Sequence, residues 1–225
     1  MPVTLEQILR STEGRLGALR ARRPVGSIRE DLDPAARAGL YALHGASAIS
    51  VLTDGPFFGG SIEDLRAAAQ RSSVPVLLKD FVLDEVQILE ARAAGAAAVL
   101  LIVRAVGPRL KHLLRYSEQL GLEALVEVHT ERELGSALDA GAALVGVNSR
   151  DLDTFTINMD SALKIVRGIP PSCVAVVESG MRGKADVVLA ADAGADAVLV
   201  GTALSAAASP EGLLKELTRV TRRGR

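Results

Sequence analysis

Two hydrophobic rhythms alternate along this chain. Short continuous apolar runs, such as Val74-Pro75-Val76-Leu77-Leu78 and Cys173-Val174-Ala175-Val176-Val177, read as strands buried on both faces. Between them lie helical patterns. One junction recurs four times: YALHGASAISVL at 41–52, EARAAGAAAVLL at 90–101, SALDAGAALVGV at 136–147 and LAADAGADAVLV at 189–200. In each, a helix ends at a glycine (Gly45, Gly95, Gly141, Gly194) that supplies a left-handed turn, and a strand follows within two or three residues. Adding the runs at 74–78, 123–128 and 173–177 predicts seven strands starting near 48, 74, 97, 123, 143, 173 and 196. Repeated βα units with doubly buried strands predict a parallel α/β sheet. A TIM (β/α)8-type barrel fits best, with a doubly wound open sheet as runner-up.

The N-terminal part departs from the repeat. Residues 3–22 place Leu5, Ile8, Leu9, Leu16 and Leu19 at helical spacing, with Thr4 as N-cap, and predict a helical extension of a single barrel domain over 1–225. Asp33-Pro34 opens a second helix over 34–44. An eighth strand is expected one repeat before Ala48, but RARRPVGSI at 20–28 stands there and cannot be a buried strand. The first strand is missing.

Composition narrows the class. With 225 residues, 48% hydrophobic and a net charge of −1, the chain reads as globular, without the basic surface that nucleic acid or an anionic membrane requires. No run approaches a membrane span and no signal-peptide core is present, so a cytoplasmic protein is expected. The single cysteine, Cys173, sits in an apolar run and reads as a small buried hydrophobe.

Polar residues cluster where the strands end, which is where parallel α/β folds bind ligands. Lys79 follows the run at 74–78; an ammonium group is costly to bury unpaired, so it is expected at a cleft. Glu127 stands between Val126 and Val128, so it points into the barrel, with Lys79 as the obvious partner. The plainer alternative is a structural ion pair. Asn148-Ser149-Arg150-Asp151 suits an anionic or hydroxylated ligand, and glycines just after the last two strands, in Glu178-Ser179-Gly180 and Gly201-Thr202, suit a phosphate. His44 and His112 read as surface residues; His129, beside Glu127, is a candidate with no triad or metal spacing around it.

Taken together, AISVLTD at 48–54, FFGGS at 57–61, Lys79-Asp80-Phe81, ALVEVH at 124–129, GVNSRDL at 146–152, Glu178-Ser179-Gly180 and Val200-Gly201-Thr202 resemble the indole-3-glycerol phosphate synthase family. The resemblance implies a cofactor-free barrel enzyme of tryptophan biosynthesis, with no metal site. Such an enzyme closes 1-(2-carboxyphenylamino)-1-deoxyribulose 5-phosphate to indole-3-glycerol phosphate, losing carbon dioxide and water. By position, Lys79 matches the family's general acid and Glu127 its general base. Asn148 and Glu178 match polar residues around the reacting carbons, and Arg150 and Ser179 substrate contacts. Phe81 matches a wall against the anthranilate ring, and Gly180, Gly201 and Thr202 the phosphate cradle.

The family's first strand, with its Glu-x-Lys pair and Ser-Pro-Ser turn, has no counterpart in this sequence. The lost lysine normally engages the departing carboxylate, so impaired activity is expected, and the open barrel edge offers a surface for association. A second reading is a non-catalytic phosphate-binding or partner-binding remnant of the family. A third is another phosphosugar barrel of the same pathway or of histidine synthesis. Those share the last two phosphate-binding units but not Lys79-Asp80-Phe81 with Glu127.

Overall fold

The structure, a computed structural model, describes residues 33–151 and 154–223. The helix predicted over 3–22 and the segment at 20–28 lie outside the described residues. Asp33 caps the first described helix, α1 (Pro34–Leu43), by accepting from the backbone N–H groups of Ala35 and Ala36. Then follow β1 (Ile49–Leu52), α2 (Gly55–Phe58), α3 (Ile62–Arg71), β2 (Val76–Lys79), α4 (Glu85–Ala93), β3 (Ala98–Ile102) and α5 (Val103–Val106). A short 3-10 turn leads into α6 (Leu110–Gln119), β4 (Glu123–Val128), α7 (Glu131–Ala140), β5 (Leu144–Asn148) and α8 (Met159–Arg167). The chain continues through β6 (Val174–Glu178), α9 (Lys184–Asp192), β7 (Ala197–Leu199), α10 (Thr202–Ala206) and α11 (Pro210–Leu217).

The seven strands pair in sequence order and all in parallel, and every one starts within two residues of its predicted position. The largest offset is at β2, where Pro75, which has no N–H to donate, precedes the strand. All four junction glycines take positive φ, between 92° and 98°. The alternation reads correctly too. Val99, Leu101, Val126, Val128, Val145 and Val177 pack outward against the helices, while Leu77, Leu100, Ile102, Leu125 and Val176 form a smaller inner cluster.

That inner cluster joins β2, β3, β4 and β6, so the sheet must curl. Strands four places apart in a flat sheet lie about 19 Å from each other. Here Lys79 of β2 touches Glu178 of β6 at 3.3 Å. The fold is therefore a curled, TIM-type parallel sheet rather than the flat doubly wound alternative.

Among the described residues the curl does not close: no strand joins β7 to β1, and these two form the sheet's edges. The lost neighbour is visible in burial: Ala197 and Ser50 are exposed and Val198 and Leu199 half-buried, whereas β4 is buried from Ala124 to Val128. The helical layer does bridge the gap, because α1 packs along α3 and also reaches α11. Among the described residues no helix is long and apolar enough to cross a membrane.

Candidate active site

Three strand ends build the centre of the site. On β2, Val76 and Leu78 face the helices, leaving Leu77 and Lys79 to face inward. On β4, Val126 and Val128 are wholly buried on the helical side, which turns Glu127 inward. On β6, Glu178 lies opposite Asn148 in the ladder and points the same way. Lys79 Nζ donates to Glu127 Oε2 at 3.4 Å and to Glu178 Oε2 at 3.3 Å. Both carboxylates are 1% exposed, whereas the Lys79 side chain keeps 25% and reaches the rim. Among the described residues, the second oxygen of each carboxylate, Oε1 of Glu127 and of Glu178, finds no hydrogen-bond donor.

One cation between two carboxylates leaves a net negative charge in a buried place, and taking up a proton relieves it. Glu178 is the group that does so. Burial pushes its carboxyl up; Lys79 opposes this and Glu127 adds to it, and the balance lies at about 7 against an ordinary 4.5. For Lys79 burial acts downward, but the Glu178 and Glu127 charges outweigh it and hold the ammonium above its ordinary range. Because folded Glu178 holds a proton that the unfolded chain releases, its contribution to stability is full below about pH 4.5 and is lost as pH rises to about 7. Denaturant titrations at stepped pH are expected to show this loss in the wild type relative to Glu178→Gln; parallel curves would refute it.

Gly146 makes the room. It pairs with Glu127 on one side and Val176 on the other, and a Cβ there would lie 2.0 Å from Glu178 Oε1. Gly146→Ala is expected to swing the Glu178 carboxylate off Lys79. Overpacking should remove about 1–3 kcal/mol of stability, and displacing a carboxylate expected beside the reacting carbons should lower kcat about 10²-fold. Urea midpoints and steady-state rates check both.

The remaining candidates surround this centre. The Asn148 Oδ1 accepts from the Arg150 N–H at 3.0 Å, and Arg150 Nη1 donates to the Phe155 carbonyl at 3.2 Å. Arg150 thus ties down the loop after β5, which also bridges back through Ile157. Phe81 packs half-buried against the inner cluster, its backbone held by Asp80 Oδ1 and Gln87 Nε2. Ser179 takes φ 65°, a left-handed conformation that stores about 1–3 kcal/mol of strain in a non-glycine residue. Gly180 follows at φ 74°, where a Cβ would meet Met159 Sδ at 2.7 Å and Ser149 Oγ at 3.1 Å. Gly201 and Thr202 open α10 at the end of β7, the strand beside β6. The structure thus brings Lys79, Glu127 and Glu178 into direct contact, while the other candidates line the strand ends around them.

Three neighbours of the site make contacts that the sequence motifs do not specify. Asp80 accepts from Thr53 Oγ1 at 2.6 Å, fastening the ends of β1 and β2. Buried Ser149 turns toward Gly180 an Oγ that has no hydrogen-bond partner among the described residues. Glu133 accepts from the His129 backbone N–H at 2.6 Å, and the Thr130-x-x-Glu133 capping spacing could have flagged it.

A curled parallel sheet that gathers a lysine and two buried carboxylates at its carboxyl ends has the layout of a barrel-type enzyme site. Comparison with known proteins gives the family. The family model described as indole-3-glycerol phosphate synthase matches residues 19–217. A relative of that description from Mycobacteroides abscessus is 49% identical over 199 residues, covering 88% of this chain and 73% of its own. Another from Dehalococcoides mccartyi is 43% identical over 223 residues, covering 96% and 86%. The chain belongs to the indole-3-glycerol phosphate synthase family. Among solved structures, thiamine phosphate pyrophosphorylase from Pyrococcus furiosus superposes with a TM-score of 0.64 at 19% identity, over 85% of this chain and 90% of that one. That likeness concerns the fold alone.

Proposed function

We propose that this chain is a carbon–carbon lyase of tryptophan biosynthesis that forms indole-3-glycerol phosphate from 1-(2-carboxyphenylamino)-1-deoxyribulose 5-phosphate. The observation that carries the reading is Lys79 held between Glu127 and Glu178 at the rim of the curled sheet. Lys79, cationic and partly exposed, donates a proton to the ribulose carbonyl oxygen as the aromatic carbon attacks and the new carbon–carbon bond forms. Carbon dioxide then leaves, its bonding electrons restoring the ring. Glu127 takes the proton lost from the carbon beside the ring nitrogen and passes it to the departing hydroxyl, which leaves as water. Lys79 regains its proton from solvent, the one proton the overall reaction consumes. Glu178 and Asn148 flank the reacting carbons, Phe81 backs the anthranilate ring, Arg150 and Ser179 hold the substrate, and Gly180, Gly201 and Thr202 cradle the phosphate. All of this needs proton transfers alone, from groups in contact. The chain works as one barrel domain in the cytoplasm.

A second reading, a phosphate-binding remnant without turnover, is favoured by the unpaired edges of β1 and β7 among the described residues. Those edges also suit association through the open side of the barrel. The experiment that separates the readings measures carbon dioxide release and saturable binding of the phosphorylated product on one sample. Release of one carbon dioxide per indole formed supports the lyase. Binding without release supports the remnant, and neither would refute both.

A further inference from the structure

We propose that Thr53 and Asp80 are positioning residues for Lys79, their hydrogen bond clamping the end of β1 to the turn after β2 so that the ammonium stays aimed into the site. This rests on the reading of Lys79 as the acid. The lysine's own contacts hold it loosely. At 3.4 and 3.3 Å they are long beside charge-assisted hydrogen bonds, which close to about 2.7–2.9 Å. The backbone that carries Lys79 must therefore do the aiming.

That backbone is held in the sheet from one side. The β2–β3 ladder pairs Leu77 with Ala98 and Leu78 with Val99 and goes no further, whereas the β1–β2 ladder runs on to pair Leu52 with Lys79. The strand supporting Lys79 is thus β1, four residues long and an edge of the sheet among the described residues. An edge strand has ladder bonds on one side only, and the ends of an element are where local opening is easiest. Just past the ladder, the Thr53 N–H donates to the Lys79 carbonyl at 3.2 Å, and Thr53 Oγ1 donates to Asp80 Oδ2 at 2.6 Å. The other Asp80 oxygen accepts from the Phe81 N–H at 2.7 Å. One carboxylate thus ties β2 to β1 and sets the turn between Lys79 and Phe81.

The far half of this turn is fastened separately. Gln87 of α4 donates to the Phe81 carbonyl at 3.1 Å and accepts from the N–H groups of Leu83 and Asp84. Arg109 Nη1 donates to the Leu83 carbonyl at 2.8 Å, and Val82 and Leu83 are buried. With that half fixed, the freedom left to Lys79 lies at the β1 end, where the Thr53–Asp80 bond closes it. A shift of about 1 Å at a reacting group is enough to cost about 10²-fold in rate.

The test compares Thr53→Val, which keeps the volume and removes the donor, with Thr53→Ser, which keeps the donor. Carbon-13 NMR of the glutamate carboxyls, with Glu178→Gln assigning the resonance, reads the site without turnover. Lys79 opposes the upward push that burial and Glu127 exert on Glu178. An ammonium no longer aimed at Glu178 lets that carboxyl titrate higher, so its midpoint is expected to rise in Thr53→Val and to return in Thr53→Ser. A mere loss of stability leaves the midpoint of the folded protein where it was. A Thr53→Val midpoint equal to that of wild type overturns the proposal. In the rate arm, Thr53→Val is expected to lower kcat by about tenfold or more, toward the 10²-fold of a misplaced group, with KM little changed. Thr53→Ser is expected to recover it. Asp80→Ala is expected to lower kcat as well, and Thr53→Val added to it should cost nothing further, because the shared bond is already gone. Unchanged kcat in Thr53→Val, or losses that multiply in the double variant, overturns the clamp. A wild type without turnover would count against Lys79 as the acid and leave the Glu178 midpoint to decide on the clamp.

Discussion

Lys79→Ala is expected to lose both rate and stability, and the two losses separate the site's roles. A positioned proton donor contributes roughly 10²–10⁴-fold to rate, so kcat should fall within that range. Removing one partner of a buried ion pair costs about 3–5 kcal/mol, because Glu127 and Glu178, each 1% exposed, are left facing one another. Proton uptake relieves them. Without Lys79, which opposes the upward push on Glu178, that carboxyl should rise further above its ordinary 4.5. A group so raised contributes stability that is present at low pH and lost as pH rises through its folded value. The deficit should therefore be smaller in acid than above neutral pH, which urea titrations at the two pH values will check. A purely structural ion pair would give the stability loss with kcat intact.

Glu127→Gln is expected to do the reverse, leaving the fold and removing the chemistry. Glutamine keeps the volume and an oxygen for Lys79, but it cannot accept a proton at neutral pH, so kcat should fall by about 10²-fold or more. The remaining Lys79–Glu178 pair is electrically balanced. Glu127 is one of the groups that push Glu178 up, and its neutralisation lets Glu178 move back toward 4.5. The loss of stability between about pH 4.5 and about 7 should then flatten relative to wild type, while stability at pH 7 is held or improved. Kinetics and denaturation on one preparation test both statements. A Glu127→Gln enzyme with normal kcat would remove Glu127 from the mechanism.

What the sequence discloses here follows from how parallel strands are buried. Doubly covered strands read as apolar runs, and four glycines mark helix ends, so all seven strands were legible. Alternation around Val126 and Val128 gave the direction of Glu127 and its contact with Lys79. The Lys79–Glu178 contact was not legible, since it joins strands four places apart and depends on the sheet's curvature. The role of Gly146 was not legible either, because it depends on Glu178 of the next strand leaning diagonally over its Cα. Helices α2, α5 and α10, of four or five residues, are too short to carry a period. The hold of Arg150 on Phe155 arises within a loop, where no hydrophobic pattern guides the reading.

Lys79, Glu127 and Glu178 are proposed to catalyse ring closure together. The most direct measurement is single-turnover formation of indole-3-glycerol phosphate, followed by indole fluorescence, with wild type and Lys79→Ala side by side. The expected result is a product signal from the wild type that Lys79→Ala loses. No signal from folded wild type, or an equal signal from the variant, would contradict it.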